Sequence, residues 1–407
     1  MKATVAPDVL PVKSNSSPRI PELDGVRGLA ILVILLGHHF NAIFYPAPDS
    51  PLVYLVIALR YTWSGVDLFF VLSGYLIGGI LLDHRQALNY YKVFYVRRIY
   101  RIFPLFYLNL FVFFALLAVG VGAISTWLFQ NPLPFWSYFT FTQNFASVYY
   151  VAYVGAPAAW MGVTWSLAVE EQFYFVMPWV IRKCKERWLP LLLIGAVGVA
   201  MVLRFFVYNL FAVGSIANYV MTPTRIDGLM MGVLIAYLLR RPDWRQKLES
   251  HRRLLWVVFG FLAAGLAGLN IWRQELATAE SIVMTTVGYT WISLFYAMML
   301  LLVLLNPQQR ITAFFRTAIM RWLGEISYGF YLLHIPVIGL CYGLVLGINP
   351  RIANLKEFSV SLLALAISLA LATISWRWLE RPLVRRGHSL QYQSANVGEN
   401  AWNSSGG

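Results

Sequence analysis

Ten apolar stretches of about 20 residues each dominate the chain, at about 24–44, 61–82, 102–122, 163–181, 188–211, 219–239, 254–271, 282–305, 323–347 and 358–378. A bilayer core about 30 Å thick needs about 20 such residues per helix. A segment inside hydrocarbon must satisfy its own backbone, and runs this long do so as helices. The chain therefore reads as an all-α, polytopic membrane protein with about ten transmembrane helices. Composition agrees, with 59% hydrophobic and only 12% charged residues, where soluble domains carry about 25% charged. No sequence repeat and no separate soluble domain is visible. Residues 1–18 read as a cytoplasmic tail and 19–386 as the transmembrane domain. The Ser-, Asn- and Gly-rich residues 387–407 read as a disordered cytoplasmic tail. The first span is long, follows a polar tail and precedes no small-residue cleavage site, so it is not a cleavable signal. Cys184 and Cys341 fall in unrelated segments and imply neither a disulfide framework nor a metal site.

The net charge of +14 is explained by its distribution. With a cytoplasmic N-terminus, 26 of the 32 Lys and Arg residues fall on inner segments. The other six are Arg60, Arg204, Arg225, Arg273, Arg351 and Lys356. That split follows the positive-inside rule and puts both termini in the cytoplasm. The basic excess orients the chain and calls for no nucleic acid. Residues 123–162 contain no Lys, Arg, Asp or Glu. They lie outside the membrane at its interface, or re-enter it. The aromatic run 133–153 suits an interfacial belt or stacking on sugar rings.

Ionisable residues within membrane spans cost at least about 2.5 kcal/mol at mid-bilayer and commonly mark function. An inner group comprises Arg27, near the start of span 1, with Arg97, Arg98 and Arg101 in FYVRRIYRIFPLFY. Arg98 and Arg101 share a helical face. Two guanidinium forks suit a phosphate, but these arginines also fit plain topology anchors. A deeper group comprises His38, Asp67, Glu170, Glu171, Arg204, Arg225, Asp227 and His334. These predict a shared hydrated cavity, or buried pairs such as Asp67–Arg204 and Arg225–Asp227 that hold helices together. Arg27 and His38, eleven residues apart, lie on one face of span 1 at roughly 16 Å separation along the axis. His39 is rotated away. Ser166, Glu170 and Tyr174 share a face of span 4, from which Glu171 turns.

A histidine is the usual general base near neutral pH, and attack of a hydroxyl on a thioester needs such a base and an oxyanion partner. Basic groups at the inner end would suit a donor bearing phosphates. No phosphate-binding loop, dinucleotide fingerprint or metal signature is present.

RIPELDGVRGLAILVILLGH, GVDLFFVLSGYLI, RRIYRIFPLFY, TWSLAVEEQFY, RIDGLMMG, ISYGFYLLHIP and WLERP, in this order over about 19–386, resemble the motifs of the acyltransferase-3 family of integral membrane O-acyltransferases. The resemblance implies transfer of an acetyl or other short acyl group from cytoplasmic acyl-CoA to a hydroxyl of a carbohydrate-type acceptor: a polysaccharide, a lipid-linked glycan or a glycosylated metabolite. The expected setting is a bacterial plasma membrane, with no metal and no tightly bound cofactor. Carried over, His38 matches the essential histidine and Arg27 its motif partner. Arg98 and Arg101 match the donor-binding pair, and Glu170 matches the span-4 glutamate. Asp67 and Asp227, with Glu170, are expected to orient His38 or the acceptor. Arg225, Ser166, Tyr174 and His334 are candidates for acceptor contact or for structure. Some family members carry a fused esterase-like domain after the last span, and none is expected here. A transporter or flippase with a polar cavity is the competing reading, opposed by the lack of a visible repeat.

Overall fold

A computed structural model describes residues 20–393, except 45, 47–49, 273–277, 279 and 308. The expectations for the tails 1–18 and 394–407 and for Arg273 lie outside the described residues. The helices used below are α1 (Pro21–His39), α2 (Gly65–Asp83), α3 (Tyr90–Ala118), α4 (Phe135–Phe139), α5 (Gln143–Tyr153), α6 (Thr164–Lys183), α7 (Leu189–Leu210), α8 (Asp227–Leu239), α9 (Arg252–Trp272), α10 (Tyr289–Leu305), α11 (Ala318–Leu346), α12 (Leu355–Ser375) and α13 (Arg381–His388). Each of the ten apolar stretches is largely helical. Among the described residues, eight helical segments are long and apolar enough to cross a membrane. The other two are α6, which carries Glu170 and Glu171 at mid-helix, and α8, which has 13 residues.

The brevity of α8 corrects the expectation of one continuous span over 219–239. Helices Gly214–Val220 and Thr222–Arg225 precede it, and the chain is extended at Met221. Pro223 is the physical reason, since proline lacks the amide donor that would continue the helix. The freed backbone is not left bare. The Thr224 carbonyl accepts from Arg204 Nη1 at 2.8 Å, and the Val220 carbonyl accepts from Asn144 at 3.2 Å.

Ion pairs tie one end of the bundle together. Arg240 on the α8 end grips Asp83 on the α2 end through two bonds of 2.6 and 2.7 Å. Arg241 reaches Glu186 after α6 at 2.6 Å, and Arg316 before α11 reaches Glu22 on α1 at 3.2 Å. Contacts at the other end include uncharged ones, such as Phe44 beside Ile352 and Asn270 donating to the Ile57 carbonyl at 2.8 Å. The helices thus alternate in direction, and the basic loops share one end.

Glycines set the closest helix contacts. Gly74 and Gly78 on α2 meet α8 at Leu229 and Val233, and Gly232 on α8 meets Val71 and Gly74. A Cβ on Gly74 would collide with the Leu229 carbonyl, and one on Gly232 with that of Val71. Small residues four apart on both helices permit this approach, on which packing in lipid depends. The α1–α11 pair is built alike, with Gly28 against Met320 and Gly324 against Asp24, while Gly25 meets Phe315 on the short helix Ala313–Arg316 just before α11. This pairing sets the histidines of α1 beside α11.

The charge-free segment re-enters the bundle. Helices α4 and α5 form a hairpin whose tip, Thr140–Thr142, meets mid-helix residues of α3 and α6. The Phe141 ring packs on Phe103 and Phe106, and its carbonyl accepts from Gln172 at 2.6 Å. Phe141 has φ of +51°, a conformation that bulky residues rarely adopt. Gln143 and Asn144 bond to the Thr164 and Val220 carbonyls, so the polar tip is held without a charge. Tyr149 and Tyr153 are exposed on the hairpin's outer face.

Residues 387–393 pack against the bundle. The His84 ring stacks on Tyr392 at 3.8 Å, Arg97 donates to the Leu390 carbonyl at 2.6 Å, and the Leu88 amide donates to the Gln393 carbonyl at 2.9 Å. These contacts draw residues 387–393 out of the expected disordered tail. They also occupy Arg97.

Candidate functional site

Two polar levels lie on the face of α1 that carries Arg27 and His38. At the first level, Arg27, Arg98 and Arg101 converge from α1 and α3 and act on one another electrostatically. Arg27 bonds to Asp24 at 3.1 Å. Arg101 lies over the Trp376 ring at 5.8 Å. Arg98 and Arg101 make no hydrogen bond or ion pair among the described residues, so their donors are free for an anion. Glu170 sits beside the Ser73 and Tyr174 hydroxyls, within electrostatic reach of Arg27 and Arg98. A cleft of about 320 Å³ at this end of α1 and α11 is lined by Pro21, Asp24, Ala318, Arg321, Trp322 and Glu325. Asp24 joins its wall to Arg27.

At the second level, His38 Nδ1 lies 2.8 Å from His334 Nε2, with the ring centres 5.0 Å apart and the planes within 12°, so the two imidazoles meet edge to edge. His38 is partly exposed, whereas His334 is fully buried. His39 does not point away as its rotation suggested. It is buried, with its ring 6.0 Å from His334 and 5.7 Å from Phe330, because α11 packs broadly over the end of α1. Pro336 lies one turn beyond Leu332 and has no amide to give its carbonyl. Asn109 of α3 supplies a donor there at 3.4 Å.

One face of α6 connects the levels. Ser166 lies 2.5 Å from the Tyr331 hydroxyl, and Tyr331 is one turn from His334. Glu170 follows one turn on, and then Tyr174, whose hydroxyl lies 2.6 Å from Ser73 of α2. The four-residue spacing in the sequence thus becomes a row of hydroxyl and carboxyl groups between histidine and arginines.

Asp67 and Asp227 lie elsewhere. Asp67 pairs with Arg225 at 3.0 Å, and Asp227 pairs with Arg204 through two bonds of 2.8 and 2.9 Å. The expected pairings are therefore crossed, because the short α8 sets Arg225 over α2 while Asp227 faces α7. Neither aspartate shares a hydrogen bond with His38 among the described residues. Arg204 is further held by the Thr286 carbonyl, in the π-helical turn Met284–Gly288, and by the Thr290 hydroxyl. The Arg225 guanidinium lies 4.2 Å from the Tyr289 ring centre and 5.4 Å from that of Tyr219.

Three site residues escaped sequence reasoning. Glu380, the glutamate of WLERP, is buried on the π-helical turn Trp376–Glu380, bonded to Ser375 at 2.9 Å, and it acts on Arg101. Tyr328 and Tyr331 precede His334 at steps of three, a spacing that puts all three on one side of α11. Tyr328 donates to the Ile102 carbonyl, next to Arg101, at 2.6 Å. Glu171, read as turned away, lies within reach of Arg98 and Tyr328. Among the described residues no cluster of metal-ligating side chains occurs.

A family model described as an acyltransferase domain matches residues 20–377. A peptidoglycan O-acetyltransferase of Listeria monocytogenes is 27% identical over 90% of this chain and 56% of its own length. A Bacillus subtilis protein provisionally named for the same activity is 28% identical over 92% of this chain and 56% of its own. A Staphylococcus aureus protein provisionally named an O-acetyltransferase is 24% identical over 90% of this chain and 58% of its own. The chain thus spans a little over half the length of these relatives. No solved structure matches it significantly.

Proposed function

The chain belongs to the acyltransferase-3 family, and on that premise we propose that it moves a short acyl group, acetyl in the simplest case, from acyl-CoA to a carbohydrate hydroxyl. The observation that carries this reading is the α1 face. It joins an arginine cluster with unspent donors to a histidine roughly 16 Å away along the helix axis. Arg98 and Arg101, with Arg27 beside them, hold the donor's phosphates. The pantetheine arm runs along the α6 row and brings the thioester to His38. The basic end faces the cytoplasm of a bacterial plasma membrane, where acyl-CoA is made. The relatives named for peptidoglycan acetylation support a glycan acceptor.

In the reaction, His38 Nε2 takes the proton of the acceptor hydroxyl. The oxygen bonds to the thioester carbonyl carbon, the C–S bond breaks, and the sulfur leaves as thiolate. The imidazolium returns its proton to that sulfur, giving free CoA thiol and an ester. Glu170 and Tyr174 line the donor's path and are not the base.

The test uses purified protein with acetyl-CoA. Wild type is expected to gain thermal stability with the ligand, Arg98→Gln to lose that gain, and His38→Ala to bind without transferring. If no acyl-CoA binds wild type, the arginines only set topology and the polar face of α1 belongs to transport.

A further inference from the structure

We infer that His334 is a positioning residue that fixes the tautomer of His38 and so determines which nitrogen of His38 is basic. This rests on the base role given to His38 above. The assignment follows from hydrogen-bond polarity. His334 Nδ1 faces two carbonyls of its own helix, Phe330 at 3.0 Å and Tyr331 at 2.9 Å. Carbonyl oxygens only accept, so this nitrogen carries the hydrogen. A neutral imidazole has one N–H, which leaves His334 Nε2 as an acceptor. The atom facing it at 2.8 Å is His38 Nδ1, which must therefore donate. His38 Nε2 is left with its lone pair.

The arrangement does for His38 what a carboxylate does in a serine-type triad, where the third group holds the imidazole in its working tautomer. Here a neutral, fully buried ring does it. A neutral partner suits this fully buried position, because no charge has to be desolvated there. When His38 becomes imidazolium, its Nδ1–H bond to His334 is strengthened as a charge-assisted bond. The anchor is rigid, since both carbonyls lie one turn back on α11. The ring is also stacked on Phe330 at 5.4 Å and 6°. Among the described residues no carboxylate is hydrogen-bonded to either ring, so tautomer control falls to the backbone of α11.

The test is nitrogen-15 spectroscopy of histidine-labelled protein in nanodiscs, with kinetics of the same samples. Wild type is expected to show His38 protonated on Nδ1 and bare on Nε2. His334→Phe keeps the ring and removes the acceptor. It should shift His38 toward the other tautomer and lower kcat by about 10²-fold, with the KM for acetyl-CoA unchanged. His334→Gln, which puts an amide oxygen near the lost Nε2, should restore much of both. Wild-type His38 protonated on Nε2 overturns the inference, as does an unaltered His38 spectrum in His334→Phe. Equal losses of stability and donor binding in both variants overturn it too, by making His334 structural. If the expected tautomer is found but His38→Ala still transfers at full rate, the base role fails and the tautomer control stands.

Discussion

Arg204 and Arg98 both sit on membrane-embedded helices, but their surroundings differ. Arg204 is fully buried and spends its donors on Asp227, on the Thr224 and Thr286 carbonyls and on Thr290. Every one of these partners lies at a helix break, a π-turn or a helix start. Arg98, at the first polar level, has no such partner among the described residues, and Arg101 has a ring face and the nearby Glu380 carboxyl but no hydrogen bond among them. An intramembrane charge is costly in either place. Around Arg204 the protein offsets that cost internally, which makes a brace. Around Arg98 the offset is left to something that comes and goes. His38 belongs with Arg98, since one ring nitrogen is tied to His334 and the other is free. Burial alone does not separate structural from functional charges, but unspent hydrogen-bond capacity does.

The strongest way to break this contrast is His38→Ala. Loss of a general base should lower transfer by about 10²–10⁴-fold, with the melting temperature and acetyl-CoA affinity near wild type. The rate of acetyl transfer to a glycan acceptor in nanodiscs reads the first, and thermal shift the rest. A variant that unfolds would place His38 among the braces.

Arg204→Met should behave in the opposite way. Removing one partner strands Asp227 in a buried site, at a cost of about 3–5 kcal/mol. Denaturant unfolding in detergent should show that loss, while any folded fraction keeps its KM for acetyl-CoA. The double change Arg204→Met with Asp227→Leu should cost less than the two single changes combined, because no charge is stranded. If it is strictly additive, the pair is not the unit described here.

Arg98→Gln sharpens the other half of the comparison. Losing a charge-assisted contact worth about 1.5–3 kcal/mol should raise the KM for acetyl-CoA roughly ten- to a hundredfold, with no loss of unfolding stability. A stability loss without a KM change would mean that Arg98 has a protein partner in solution.

What was legible in the sequence follows the same division. Spans α1, α7 and α9 could be read because lipid imposes a run of apolar residues, whatever the neighbouring helices do. The Arg27–His38 face was legible because it needs only the period of one helix. The partners of Asp67 and Asp227 were not, since pairing depends on how α7, α8 and α10 cross and on the break that Pro223 makes. The same holds for His39, whose rotation on α1 follows from the helical period but whose burial against His334 and Phe330 depends on the breadth of α11. The depth of the 123–162 segment was open for a related reason. Its aromatic, charge-free composition suits either lipid interface or bundle interior, and only the buried, hydrogen-bonded Gln143 and Asn144 decide between them. Glu380 was visible within WLERP, yet nothing in the linear pattern brings it to Arg101, most of the chain away.

Tyr331 stands between the two kinds of site and gives the finest discrimination. Its hydroxyl touches Ser166 at 2.5 Å and donates to the Val163 carbonyl at 2.8 Å, while its ring lies 6.0 Å from His334. The bond to Val163 closes the start of α6 onto α11, which is a bracing contact. Tyr331→Phe removes it and leaves the ring, so stability should fall by about 0.5–1.5 kcal/mol and kcat should change less than tenfold. The His38 nitrogen-15 signature should stay in place, because the anchor of His334 is the Tyr331 carbonyl and not its hydroxyl. A kcat loss as large as that of His38→Ala, with stability intact, would instead move the Tyr331 hydroxyl into the transfer chemistry. The boundary between brace and reaction site would then run between α6 and α7 rather than through the start of α6.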